Sequence, residues 1–198
     1  MATTLSERPG AEIALPAAKP PAALAKALQA RHSSRAFAPQ PLTLEELGAL
    51  LWGAFGINRQ EGPRRTAPSA HNWQEIDVYA VTAAGTYRYE PQGHRLLRVS
   101  DADLRAHTGV QDFVADAPLN LVYVADFARM EGASSDEKQF LAGCDSGCIA
   151  QNVYLCCATM GLACVVRGLI DRARLAGALG LRPQQRVTLA QSVGRPLT

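Results

Sequence analysis

The densest polar chemistry in this chain lies in Arg31-His32-Ser33-Ser34-Arg35, followed by Phe37. Two arginines four residues apart, a histidine and two hydroxyls can surround one anionic group. A guanidinium is always charged, and its fixed fork of donors matches phosphate oxygens. Serine adds a neutral donor, and free backbone N–H groups add more. Taken alone, a short basic turn reads as solvated surface, so its meaning depends on what accompanies it.

Four later segments accompany it. Thr66-Ala67-Pro68-Ser69-Ala70-His71-Asn72-Trp73-Gln74 leads into an alternating run, and Gly143-Cys144-Asp145-Ser146-Gly147 opens an apolar helix. Gly161-Leu162-Ala163-Cys164-Val165-Val166-Arg167-Gly168 follows that helix, and Val193-Gly194-Arg195-Pro196 comes last. In this order and spacing, from about Ala22 to Pro196, the set resembles the nitroreductase family of FMN-dependent oxidoreductases. It looks closest to the short branch that contains dehydrogenases of thiazoline and oxazoline peptides.

That resemblance implies a site, residue by residue. Arg31, His32, Ser33 and Arg35 would hold the FMN phosphate and reach the pyrimidine edge of the ring. Arg35 would face the N1–C2=O edge, where positive charge stabilises reduced, anionic flavin. Pro68, Ser69, Ala70 and Asn72 would come from a partner subunit. Asp145 would offer a polar group to the ribityl chain or ring. Val166, Arg167, Gly168 and Leu169 would pass the ring centre, one backbone N–H reaching flavin N5. Two departures from the family pattern stand out. Arg195 is the one late basic residue available to finish the phosphate site, and Arg167 occupies the neighbourhood of N5, where some members place an acid. No residue is assigned as a protein nucleophile or other catalytic group.

Composition narrows the classes. The 198 residues are 47% apolar and 19% charged, which suits one domain with a sizeable core. A net charge of +2 gives no concentrated basic face for nucleic acid. No apolar run approaches the length of a membrane span. The five cysteines crowd between Cys144 and Cys164, which is unlike a secreted disulfide framework. Cys144 and Cys148 stand one turn apart, but no further ligands complete a metal set. They read as small buried apolar residues, as does the crowded set as a whole. The expected location is the cytoplasm, a processed, exported precursor being the other possibility.

The elements that must position the site can be read in order. Residues 1–21, rich in Ala and Pro, form an expected flexible arm, and 22–198 one domain. Ala22–Ala30 reads as a helix. Thr43 and Glu46 form a capping box before a helix to about Phe55, with Trp52 in core or interface. Gly56–Ser69 reads as a flexible loop. Its Arg59, Arg64 and Arg65 are expected in solvent, with a phosphate of a pyridine nucleotide or an acidic substrate as the other use. Strands are expected from Ile76, at Thr86–Glu90 and Arg95–Val99, with a helix over Ala102–Thr108. Leu119–Ala125 is a strand and Ala128–Ala133 a loop able to act as a lid. A long helix starts at Ser134 or Ser135 and is buried from Ile149 to Met160, where Gln151 and Asn152 would brace the core. Gly161 ends it as a left-handed cap. Gly143 and Gly147 leave a flat face for another helix or a planar ring. Ala163–Arg167 is a strand, Asp171 caps a short helix to Gly180, and Arg186–Val193 is the last strand. The fold class is therefore α+β: a mixed sheet flanked by helices, single-domain, and dimeric by resemblance.

The expected activity is NAD(P)H-driven reduction of nitro compounds, quinones or related acceptors in alternating half-reactions at flavin N5. Two alternatives are a flavin dehydrogenase of a peptide azoline or other reduced substrate, and a non-catalytic flavin-binding protein. A redox role for Cys144 and Cys148 ranks below these. Expected partners are a second copy of the chain, with flavin at the interface, and a small-molecule substrate, but neither nucleic acid nor membrane.

Overall fold

The computed structural model describes residues 14–197. Residues 1–13 of the expected arm lie outside them, and 14–21 form no regular element. Four helices follow: α1 (Ala22–Ala30), α2 (Leu44–Phe55), α3 (Ser135–Met160) and α4 (Arg172–Leu179). The strands are β1 (Phe37–Ala38), β2 (Ile57–Arg59), β3 (Arg64–Arg65), β4 (Ile76–Thr82), β5 (Gly85–Glu90) and β6 (Arg95–Ser100). They continue with β7 (Leu119–Asp126), β8 (Ala163–Arg167) and β9 (Gln185–Pro196).

Seven strands make the main sheet, in the order β1-β9-β7-β4-β5-β6, and β8 pairs with β9. Every pairing within it is antiparallel. One edge of β9 runs along β7, and the other is divided between β8 and β1, with Ala163 opposite Gly194 and Phe37 opposite Pro196. The strand nearest the chain's end therefore places the exit of the basic turn beside the start of β8.

Alternation along β4 and β7 explains the two cores. Ile76, Val78, Ala80, Leu121 and Tyr123 face the helices α2 and α3, whereas Tyr79, Val81, Val122 and Val124 face α4. Both faces of the sheet are covered, so these strands read as continuous apolar runs. A methyl group at Gly53 would run into Cys156 Sγ, which lets α2 and α3 approach closely.

Local signals set most boundaries. Thr43 and Glu46 form the capping box of α2, and Ser134 with Glu137 forms that of α3. Gly161 (φ 69°) and Gly180 (φ 64°) end α3 and α4 in the left-handed conformation. Asp171 accepts a hydrogen bond from the Arg174 N–H and starts α4.

Four expectations change. Ala102–Thr108 is not an α-helix; a single 3-10 turn, Arg105–His107, stands there. Its Thr108 carbonyl accepts instead from buried Arg167 Nη1 at 2.7 Å, and a Cβ at Gly109 would overlap that same guanidinium. Gly56–Ser69 contains the β2–β3 hairpin, tied to α2 by the Thr66 hydroxyl on the Trp52 carbonyl at 3.1 Å. The second half of α3 is not buried all round, because Gln151 is exposed and Asn152 half-buried. The segment after β7 is pinned rather than free, since Met130 is buried and Arg129 holds both the Gln74 carbonyl and Asp77.

Candidate functional site

Helix α3 organises the predicted residues into two groups. At its C-terminal half, Tyr154 is buried and its phenol joins two elements. Its hydroxyl hydrogen-bonds Ser33 Oγ at 2.8 Å and accepts the Val166 N–H at 3.0 Å. The Arg31 guanidinium lies over the same ring, 5.3 Å from its centroid. The Ser34 N–H donates to the Cys164 carbonyl at 2.9 Å, a second tie between the turn and β8. Arg31 and Ser33 are thus held at the Tyr154 ring whose hydroxyl also takes the Val166 N–H. His32 Nδ1 is turned back onto the Ala30 carbonyl at 2.8 Å.

Charge in this group is one-sided. Neither Arg31 nor Arg35 is in an ion pair among the described residues. Arg195, in contrast, is committed: its Nη2 donates to both Glu46 carboxylate oxygens at 2.9 Å. A cavity of about 260 Å³ opens here, lined by His32, Tyr154, Cys164 and Pro196 among others. Cys157 and Cys164 are buried beneath it; the hydrogen bond between them, together with burial, raises the Cys157 thiol, while the same bond lowers Cys164.

Arg167 points elsewhere. Its guanidinium is buried on the other face of the sheet, donating to Thr108, Asn120 and Ser192. With no carboxylate beside it, burial pushes its pKa down to about 10. Gly168 and Leu169, just past the strand, are exposed.

The second group sits at the N-terminal half of α3. Asp145 is buried, and its Oδ2 accepts the Ala70 N–H at 2.8 Å, holding the Pro68–Asn72 loop against the helix. This loop is strained: His71, Asn72 and Gln74 all have φ between 50° and 57°. Such conformations cost on the order of 1–3 kcal/mol each and persist only where neighbours enforce them. Gln74 is held by Arg65 Nε on its Oε1 at 2.8 Å, by Arg129 on its carbonyl, and by its own amide on the Pro63 carbonyl. Ser69 Oγ accepts the Gln74 N–H, and Asn72 Oδ1 accepts from the Gln74 amide.

Glu75 lies directly behind the loop, fully buried, with both carboxyl oxygens lacking a hydrogen-bond partner among the described residues. Burial pushes its pKa up to about 7, and the nearby Asp145 charge adds to the rise. Sequence reading passed over both Glu75 and Tyr154. Tyr154 looked like one more apolar residue of a buried helix, and nothing in the local pattern marks Glu75.

The two groups do not meet within one chain. Asp145 and Tyr154 are nine residues apart, about 13 Å along the helix axis. Along its N-terminal half α3 presents an open face: Phe140 is 71% exposed, and a Cβ at Gly143 or Gly147 would touch nothing. Cys144, on that face, is exposed, and Cys148 and Cys156 are half-buried, so only Cys157 and Cys164 fit the expectation of buried thiols. Burial raises the Cys148 thiol.

The family model for the nitroreductase family matches residues 28–195, nearly the whole chain and both groups. The chain belongs to the nitroreductase family. It is accordingly an FMN-dependent oxidoreductase. A "putative nitroreductase" of Methanocaldococcus jannaschii is 30% identical over 148 residues, 70% of this chain and 74% of that protein. The crystal structure of another protein so named, from Ralstonia eutropha JMP134, is 41% identical with a TM-score of 0.85, covering 95% of this chain and 88% of that one. More distant solved structures of similar fold include a chain of the Escherichia coli microcin synthetase McbBCD complex, at 18% identity and a TM-score of 0.74 over 99% of this chain and 79% of that one. The NADPH:FMN oxidoreductase of Vibrio harveyi, at 24% identity and a TM-score of 0.66, covers 89% of this chain and 70% of that one. These last two speak for the fold alone.

Proposed function

We propose that this enzyme takes electrons from NADH or NADPH and passes them to a nitro compound, quinone or related small acceptor in two alternating half-reactions. The observation that carries the reading is the basic turn. Arg31 and Arg35 have no carboxylate partner among the described residues, and Tyr154 fastens the turn to β8. Uncommitted guanidiniums beside Ser33 are a donor set that fits a phosphate monoester. FMN, when bound, supplies the hydride- and electron-transfer chemistry.

The chain's residues position that group and set its charge. Arg31, Ser33 and Arg35, with the backbone at His32, hold the phosphate. Arg35 also brings positive charge to the pyrimidine edge. The Val166 N–H is already spent on Tyr154 and Arg167 pairs with Ala190 in the sheet, so the backbone of Gly168 or Leu169 would be the donor to flavin N5. Pro68, Ser69, Ala70 and Asn72 complete the site from a second copy, with Asp145 fixing that loop. Arg195 supports the turn from its ion pair with Glu46.

A dimer is part of the same reading, because the basic turn and the Pro68–Asn72 loop are fastened to opposite halves of α3 and would complete one site only across two copies. The open α3 face around Phe140, Gly143 and Gly147 is the surface for the second copy, burying on the order of 2,000 Å² or more. In this reading residues 22–198 form the FMN-binding unit, and 1–21 an arm beside it. Five free cysteines suit a reducing cytoplasm. Among the described residues no helix is long and apolar enough to cross a membrane.

The test is the visible spectrum of the purified protein, mass analysis of released cofactor, and anaerobic titration with NADH and NADPH. Bound FMN reduced by either nucleotide supports the reading. FMN reduced by an azoline peptide but by neither nucleotide would replace it with the dehydrogenase reading. A colourless protein that does not take up added FMN would end it.

A further inference from the structure

The β2–β3 hairpin was expected to be a solvated loop, and its geometry points to something more specific. Arg59 and Arg64 are paired in its two-stranded ladder, just past a register shift between Ile57 and Arg59. Side chains at opposite positions share a face, and like charges there repel. Neither is in an ion pair among the described residues, nor is Arg65. The one acid in the turn, Glu61, pairs with none of them.

A cavity of about 370 Å³ lies against this hairpin, lined by Arg59, Arg64, Arg65, Thr66, Ser69 and Asn72 among others. It shares Pro68, Ser69 and Asn72 with the loop that the reading above turns toward the flavin. Arg65 Nη1 is buried with no hydrogen-bond partner among the described residues, so this guanidinium retains an unused donor. The hairpin is also held in place. Trp52 Nε1 donates to the Ile57 carbonyl at 3.1 Å, the Thr66 N–H donates to the Gly56 carbonyl at 2.9 Å, and the Gln74 amide holds the Pro63 carbonyl at 2.8 Å. A cationic surface fixed in advance loses less entropy on binding than a mobile one.

We propose that Arg59 and Arg64, with Arg65 behind them, receive a phosphate group of the dinucleotide that reduces the enzyme. A dianionic phosphate can accept from both facing guanidiniums at once and relieves their repulsion. The cavity is large enough for the phosphate and the sugar that carries it. The inference rests on the nucleotide-donor reading above and adds the element that selects the donor. Both the 2′-phosphate and the pyrophosphate of such a dinucleotide have the required chemistry.

The experiment uses the full-length, FMN-loaded protein and its Arg59→Ala/Arg64→Ala variant, titrated calorimetrically with 2′,5′-ADP and with 5′-ADP. The expected result is that the double variant binds at least one probe ten-fold or more weakly, with unchanged FMN content. Loss confined to 2′,5′-ADP assigns the 2′-phosphate, a loss confined to 5′-ADP assigns the pyrophosphate, and a matching loss for both assigns the 5′-phosphate that both carry, the adenosine-side half of the pyrophosphate. An Arg59→Lys/Arg64→Lys variant, which keeps the charges and loses the forks, should fall between. Equal affinities in wild type and the alanine variant, or no binding of either probe to wild type, overturn the proposal. A protein that keeps FMN and is reduced by nucleotide, yet shows no effect of the arginines, sinks this inference alone. A protein that no nucleotide reduces, but whose probe binding falls with the arginines, sinks the donor reading and leaves the phosphate receptor standing.

Discussion

The two halves of α3 each fasten a loop, and they do so with opposite chemistry. Tyr154 holds the basic turn with a neutral phenol, whereas Asp145 holds the Pro68–Asn72 loop with a buried carboxylate backed by Glu75. The neutral tether leaves the charge of Arg31 and Arg35 free for an anionic group. The charged tether puts two acids behind a strained loop and makes that loop's stability depend on protonation. One helix thus separates a turn with two unpaired arginines from a support in which two acids are buried together.

The largest expected effect breaks the first half. Arg31→Ala should weaken FMN retention roughly ten- to hundred-fold, the scale of one charge-assisted contact. Arg167→Ala, on the opposite face of the sheet, should lower thermal stability while FMN affinity stays within about two-fold. Dialysis followed by flavin absorbance distinguishes the two, and equal retention in both variants would overturn the phosphate assignment.

Tyr154→Phe removes the shared hydroxyl and leaves the Val166 N–H and Ser33 Oγ without it. A cost of about 2 kcal/mol is expected, together with looser FMN binding. If its melting curve and flavin retention match the wild type, the phenol is not the tether.

Glu75 sharpens the other half. Its carboxyl titrates higher in the folded chain than in the unfolded one, so the folded state binds more protons over the intervening range. Stability should therefore be greatest below the ordinary carboxyl range and fall as pH rises through about 7. Glu75→Gln should flatten that decline and raise the melting temperature at pH 8 by roughly 5 °C. Melting curves between pH 5 and 8 decide it, and the same slope in both proteins would remove Glu75 as its source.

The smallest effect is a control outside both groups. Ser134→Ala loses the cap of α3 and should cost about 1 kcal/mol without altering the pH slope or FMN affinity. A changed pH slope in this variant would show that the whole helix, rather than its buried acids, carries the pH response.

What could be read in advance follows from range. The capping boxes at Thr43 and Ser134, the left-handed Gly161 and Gly180, and β8 over Ala163–Arg167 depend on neighbours a few residues away. The 3-10 turn at Arg105–His107 depends on Arg167, some sixty residues later, which takes the Thr108 carbonyl out of any helix. The strand β1 exists because β9 offers an edge, and Phe37-Ala38 has no strand signal of its own. In the site, the basic turn announced itself by composition. Tyr154 and Glu75 did not, because their roles arise from what surrounds them in space.

The shared edge of β9 has a consequence for the order of events during synthesis. Phe37 pairs with Pro196, and β8 pairs with the same strand, so the turn at Arg31–Arg35 gains its β-sheet anchorage only after β9 has been synthesised. Pairing across such a sequence separation is slow. In the proposed reading, the half of the site that would hold the phosphate is therefore assembled late, and cofactor loading would report that the β9 pairing is complete.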